Sequence, residues 1–466
     1  MELRTESLAD IADQWEIAEN MAPAWWAYAH EFPRWYVWRG VTGFYYARIP
    51  GISPQRVLRA PTPELLRDEI LFSGAPYRSV ALSRFPGFFA FSRPATHTPL
   101  RSEPLAMKRL LDPPALRALA RGCAVLGAGG GGDTYLALLQ ALQATGDRAP
   151  VPLVDLDDLP DDSLIMPCGG IGAPTVSIEK IENGDEGERL RDHLEALTGR
   201  RVAALMASEI GGGNGLVPVA WAARMGLPVA DADGMGRAFP ETFQVTMHLA
   251  GISPSPAVMT DERGNVALFR TVSGEWMERL ERAAAMEFGG MASSAEYTLT
   301  AAQARAATVR DSVSLAIRIG EAIVNARSSP VDALIDEVKG YRLITGKIVD
   351  VERRTTSGFV RGSVVIEGLG DDADRLLRLE LQNENLVALD RGRLLASVPD
   401  LITVLDSETA DAIATERIAY GQRVTVIAFA CDPVWRTPAG IALTGPRAFG
   451  YDFDFTPVEE LAGARD

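Results

Sequence analysis

The chain has 466 residues, too many for one ordinary core; roughly 150 residues per domain gives two or three domains. Its 47% hydrophobic and 23% charged residues match a soluble globular chain and exclude a mostly disordered one. A net charge of −16, from 46 Lys and Arg against 62 Asp and Glu, argues against a nucleic-acid partner, which needs clustered basic charge.

No run approaches the roughly 18 apolar residues of a membrane span, so no membrane partner is expected. Residues 1–7 are charged and lead into no apolar stretch, so a secretory signal is not expected and the cytoplasm is the default compartment. Cys123, Cys168 and Cys431 are far apart and odd in number, which implies no disulfide framework. His30, His97, His193 and His248 lack zinc-finger spacing.

Residues 1–105 read as a separate Trp-rich module. Five of the eight tryptophans lie before residue 39, and 11 Arg balance 11 Asp and Glu there. Residues 35–48, dense in aromatics around two glycines, predict a hairpin. Residues 62–70 predict a short helix with Thr62 as cap and Pro63 in its first turn. The prolines of 85–105 read as a linker.

Residues 106–275 predict an α/β domain. Helices are expected over 115–121, 133–144 and 187–197, and short strands over 151–155 and 164–166. The clearest unit is a strand at 202–206, a glycine turn at 211–215, a helix at 217–224 and a strand at 227–230. That crossover implies a parallel sheet. Residues 276–460 predict a helical segment, including 278–286 and 300–326, and then a β-rich domain, barrel or sandwich. Its strands are expected at 343–351, 359–366, 376–381, 401–405 and 424–429. The fold class is thus an α/β domain with a parallel sheet, a β-rich domain, and a small α+β module in front.

Five motifs carry candidate chemistry. The first is Gly129, Gly130, Gly131, Gly132 and Asp133 before a helix. Glycine lets backbone N–H groups approach an anion or a carbonyl, and the helix N-terminus adds partial positive charge. Gly127, Gly129 and Gly132 match dinucleotide spacing, with only Cys123–Leu126 as the strand before them. The second is the loop Gly169–Thr175 after Cys168, a strand-end position where open α/β sheets bind ligands. Cys168 is read as a nucleophile or as an inert buried thiol. The third places Glu209 and Asn214 at another strand end, with Asn214 alternatively supplying a left-handed turn.

The fourth gathers Asp231, Asp233, Arg237, Glu241 and His248. Asp231 and Asp233 leave a strand end on one side. The cluster reads as a site for one divalent metal ion, zinc or similar, through Asp231, Asp233 and His248, or as an acid–base set of Asp231, Asp233, Glu241 and His248. A structural ion network with Arg237 is the alternative. The fifth, residues 431–452, sets Trp435, Phe449 and Tyr451 among Arg436 and Arg447; it either closes a site or packs domains together.

Taken together, Leu126–Asp133, Gly172–Val176, Glu209–Gly215, Asp231–Glu241 and Gly445–Asp452 resemble the S-methyl thiohydantoin desulfurase family over about residues 106–460. The first 105 residues lie outside the resemblance. It implies an α/β domain followed by a β-rich one, and hydrolytic removal of a sulfur substituent from a five-membered thiohydantoin ring. On that chemistry Asp231, Asp233 and His248, with Glu209, activate water or bind the metal. N–H groups of Gly129 to Gly132 hold the ring carbonyl, and Arg237 holds a substrate carboxylate. A hydrolase of other hydantoin or lactam rings, and a non-catalytic binding or regulatory protein, are the rival readings. A small-molecule substrate is the expected partner, and self-association into a homo-oligomer is left open.

Overall fold

The structure is a computed structural model that describes residues 36–39, 45–48, 57–60, 62, 66, 107–146, 148–172, 176, 179–356 and 359–463. The chain divides into two compact units, 1–99 and 100–466.

In the first unit, β1 (Tyr36–Arg39), β2 (Tyr45–Arg48) and β3 (Val57–Ala60) form an antiparallel sheet in that order. Trp38 pairs with Tyr46 in register, so the expected hairpin is present. Of the helix expected at 62–70 only Thr62 and Leu66 are described, with the Leu66 N–H donating to the Thr62 carbonyl at 3.0 Å. The rest of that helix, the expected linker and the tryptophans at 15, 25, 26 and 35 lie outside the described residues.

The second unit opens with a mixed sheet. Its centre is four parallel strands, β6 (Leu164–Gly172), β7 (Val202–Ala207), β8 (Val229–Asp233) and β5 (Val151–Val154), adjacent in that order. These strands are nearly continuous buried runs, as parallel strands covered on both faces must be. The helix Val217–Met225 makes the expected crossover from β7 to β8. Antiparallel strands flank this centre. β4 (Arg109–Leu111) pairs with β5, β12 (Leu299–Thr300) pairs with β6, and β9 (Ala257–Thr260), β10 (Val266–Phe269) and β11 (Met291–Ala295) extend the sheet beyond β6. The sheet therefore draws strands from both sides of residue 275.

Two expectations fail here. Residues 300–326 are not one helix. The run breaks into helices Ala301–Ala307 and Ser312–Val324, because β13 (Val309–Arg310) pairs with β8 and Asp311 turns left-handed at φ 60°. Cys123–Leu126 is the last turn of the helix Pro113–Leu126, capped by Asp112, and not a strand. No strand leads into the first glycine loop, so the dinucleotide reading is lost.

The antiparallel sheet that follows is curled into half a barrel, the barrel form of the β-rich domain expected from sequence. Its strands, β14 (Tyr341–Thr356), β15 (Phe359–Gly368), β16 (Leu376–Gln382), β17 (Glu384–Asp390), β18 (Arg393–Ser397), β19 (Leu401–Asp406) and β20 (Arg423–Phe429), run in the order β18-β17-β16-β15-β14-β20-β19. Strands β17 and β18 were not expected. One apolar core joins the two sheets, with Leu126 and Leu205 in the same cluster as Leu386, Leu405 and Trp435. Helices Pro113–Leu126 and Ser312–Val324 touch backbone to backbone. A Cβ on Gly122 would sit 1.8 Å from the Ala316 carbonyl oxygen, so no larger residue fits.

Candidate functional site

Three glycine-bearing segments meet at the C-terminal ends of the parallel strands. The Asn214 N–H donates to the Gly131 carbonyl at 3.1 Å, and the Gly213 N–H to Gly132 at 3.0 Å, binding the first glycine loop to the one after β7. The Asn214 side chain fixes the third segment. Its Oδ1 accepts from the Gly170 N–H at 2.8 Å and its Nδ2 donates to the Gly170 carbonyl at 3.2 Å. Asn214 is therefore a clamp; the left-handed residue of its turn is Gly212, at φ 68°. The half-barrel closes the other side, where the Asn385 N–H donates to Ala128 and the Thr415 N–H to Gly129, at 2.8 and 2.9 Å.

These contacts leave a cavity of about 90 Å3. Gly131, Gly132, Gly169 and Gly170 form one wall, and the polar lining includes Glu209, Glu241, Arg282, Glu296 and Glu384. Glu209 Oε1 accepts from Asn214 Nδ2 at 2.6 Å. Among the described residues, the Oε2 atoms of Glu209, Glu296 and Glu384 are buried without a hydrogen-bond partner. A buried polar atom left unpaired costs about 1–3 kcal/mol, which favours the protonated form of these three carboxyls.

Their charge state follows from burial. Burial pushes Glu209 up to about 8, against the opposing hydrogen bond from Asn214. Burial and then the Glu209 carboxyl push Glu384 well above the usual range, with the Arg237 guanidinium opposing. Burial also raises Glu296, and raises Glu281 together with the Glu296 charge. Glu241 is raised by burial and by Glu278. Arg282 is the cation of the lining, held by Glu278 Oε1 at 2.6 Å and by the Pro240 carbonyl at 3.1 Å. The arrangement sets several carboxyls, raised by burial to different extents, around one cavity, which suits proton transfer.

Of the residues expected from sequence, Gly131, Gly132, Glu209, Asn214 and Glu241 line this cavity. Gly129, Gly130 and Asp133 lie against another cavity behind the first loop. Asp133 caps the next helix through Tyr135 and Leu136 N–H groups and pairs with Arg417. The proposed metal set does not assemble. Asp231 is bound by Lys108 at 2.8 Å and by the Ser314 N–H at 2.9 Å. Asp233 Oδ2 accepts from the N–H groups of Ile210, Met235 and Gly236. His248 faces Tyr297, with Nδ1 3.4 Å from its hydroxyl, and Glu275. Among the described residues no group of three or more His, Cys, Asp and Glu can hold a metal ion. We expect Asp231→Ala to lower unfolding stability by about 1–3 kcal/mol while ligand affinity stays unchanged, measured by denaturant titration beside calorimetry.

Arg237 does not line this cavity. It is fully buried, donating to the carbonyls of Ala238, Pro399 and Asp400, and stacks 4.5 Å from the Phe239 ring centroid. Trp435 is likewise interior, with Nε1 donating to the Met235 carbonyl at 2.6 Å and its ring edge on Phe239. The aromatics of the fifth motif thus pack, Phe449 and Tyr451 lying against the same core as Trp435. Cys168 is buried and its thiol is pushed up by desolvation, which removes the nucleophile reading. Residues 173–175 of the second motif lie outside the described residues.

Sequence reasoning missed Arg282, Glu296 and Glu384. Glu384 opens β17, buried over Glu384–Ala388, and because no strand was expected there the sequence offered no signal for it.

No helix among the described residues is long and apolar enough to cross a membrane. Two family models match, "S-Me-THD-like, N-terminal domain" over residues 114–271 and "S-Me-THD-like, C-terminal domain" over residues 272–458. No curated protein matches. An X-ray crystal structure of a protein from Chromobacterium violaceum is similar in fold. It is 24% identical with a TM-score of 0.63, covering 75% of this chain and 99% of that one.

Proposed function

Because the chain belongs to the S-Me-THD-like family, we propose that it hydrolyses an S-methyl thiohydantoin to the hydantoin and methanethiol. The observation that carries this reading is the set of three unpaired buried carboxyl oxygens in a glycine-walled cavity.

The ring carbon that bears sulfur is joined to a ring nitrogen by a double bond. Glu296, which burial raises only to about 7, is ionised in part of the molecules near neutral pH, and in that form takes a proton from water as the water oxygen bonds to the ring carbon. Neutral Glu209 gives its proton to the ring nitrogen. On collapse the C–S bond breaks and the C=O bond forms. The hydroxyl proton returns to Glu209, and Glu296 passes its proton to the departing sulfur. Water's two hydrogens end on nitrogen and thiol, and both carboxyls are reset. The backbone of Gly131 and Gly132 and the Arg282 guanidinium line the space around the developing charge.

The test is a panel of hydantoin, thiohydantoin and S-methyl thiohydantoin, read by thiol release and by incorporation of water oxygen. Thiol from the S-methyl compound alone is expected. Ring opening of plain hydantoin without thiol release would replace this reading with cyclic-amide hydrolysis.

A further inference from the structure

A second cavity, of about 350 Å3, lies beside the carboxyl-lined one. Gly131, Gly132, Asn214 and Met291 line both, so each opens next to the other. Most small-molecule pockets span roughly 300–1,000 Å3. The first cavity, at about 90 Å3, falls below that range and reaches it only with its neighbour. The arrangement is that of a small reaction chamber with an annex.

The annex has a distinct chemistry. Leu136, Ala137 and Leu139 of the helix Thr134–Gly146 line it, with Val217 and Ile181. Leu136, Leu139 and Ile181 remain 38%, 45% and 82% exposed, apolar surface that the fold itself does not cover. Lys180 is the cation of this lining, and it is already engaged. Its ammonium meets the carbonyls of Phe288 and Met291 and the Glu262 carboxylate. The other charged lining residues are acidic, Glu182, Glu186 and Asp261 among them. An anionic group entering here meets repulsion and no free cation.

We infer that the annex receives the ring's substituent, and that the preferred substrates carry a bulky, neutral, apolar side group rather than a bare ring or an acidic arm. This rests on the first cavity's being the ring site. The substrate class is then the thiohydantoin of an apolar amino acid, with its side chain laid along Leu136 and Leu139.

Calorimetry with three hydantoin products tests this without requiring turnover: unsubstituted, benzyl-substituted and carboxyethyl-substituted at the ring carbon. The benzyl compound should bind about tenfold tighter than the bare ring or better, since one methylene in an apolar pocket discriminates by about that much. The carboxyethyl compound should bind no tighter than the bare ring. Leu139→Glu, at a half-exposed position, should erase the benzyl preference. Equal affinity for all three, including binding of none, overturns the inference, as does a carboxyethyl compound that matches the benzyl one. Thiol release from the S-methyl counterparts is measured in parallel. Its failure with the binding preference intact strikes the proposed reaction and leaves the annex standing.

Discussion

Glu209→Gln gives a folded protein that releases thiol at least about a hundredfold more slowly than the native chain, the usual scale for loss of a positioned proton carrier. The substitution keeps the amide-sized side chain beside Asn214 and removes the transferable proton. Folding survives because Glu209 is mostly neutral at pH 7, and Gln imitates that form. The pH dependence supplies a second readout. The folded-state value of about 8 lies above the ordinary 4.5, so the folded protein keeps a proton that the unfolded chain has lost between those values. Stability from this group is whole below about pH 4.5 and is lost as pH rises through about 8. Glu384 and Glu281, raised by the same burial, act in the same direction. Melting temperatures should therefore fall from about pH 5 to about pH 8 in the native chain, and fall less in Glu209→Gln. Turnover should also decline above about pH 8, where Glu209 no longer carries its proton. Full activity in Glu209→Gln, with a pH profile like the native one, would remove Glu209 from the reaction.

The second large effect lies in the first glycine loop, where neighbouring residues separate two physical causes. Gly131 and Gly132 have similar left-handed backbones, at φ 80° and 88°. A Cβ at Gly132 meets nothing within 4 Å, whereas one at Gly131 sits 2.1 Å from the Gly211 carbonyl oxygen. Gly132→Ala should cost only the left-handed penalty, about 1–2 kcal/mol. Gly131→Ala must also push the two loops apart, and should cost about 3 kcal/mol or more. Because Asn214 and Glu209 belong to the displaced loop, Gly131→Ala should lose ligand binding as well. Thermal unfolding and calorimetry on the pair settle the comparison. Equal losses would mean that the loops are not in contact as described.

The parallel centre of the fold was legible because its evidence is local. Apolar runs at 164–166, 202–206 and 227–230, punctuated by glycines, leave few alternatives to a crossover. Glu209 and Asn214 were found by the same logic, as polar groups at a strand end, and Glu241 as a member of the cluster read around Asp231, Asp233 and His248. The acidic pair at 231 and 233 misled because the same spacing serves two purposes. What decides between them is a partner far along the chain, and Asp231 meets Ser314 and Lys108. Glu296 and Glu384 were hidden for a related reason. Each reaches the cavity only through the pairing of a distant strand, and neither has a neighbouring motif to announce it. The Ala-rich stretch 300–326 has helix propensity throughout, yet pairing of Val309 and Arg310 with β8 overrides it.

The walls of the cavity come from both sides of residue 271, where the two matched halves of the chain meet. Gly131 and Glu209 precede that point, and Arg282, Glu296 and Glu384 follow it. A chain severed there would yield two fragments that each carry part of the chemistry, and only their reassociation would restore it. Grafting one half from a distant relative would unite carboxyls whose acidities had been set against different neighbours. The two halves are in this sense one heritable unit, free to drift together and costly to exchange.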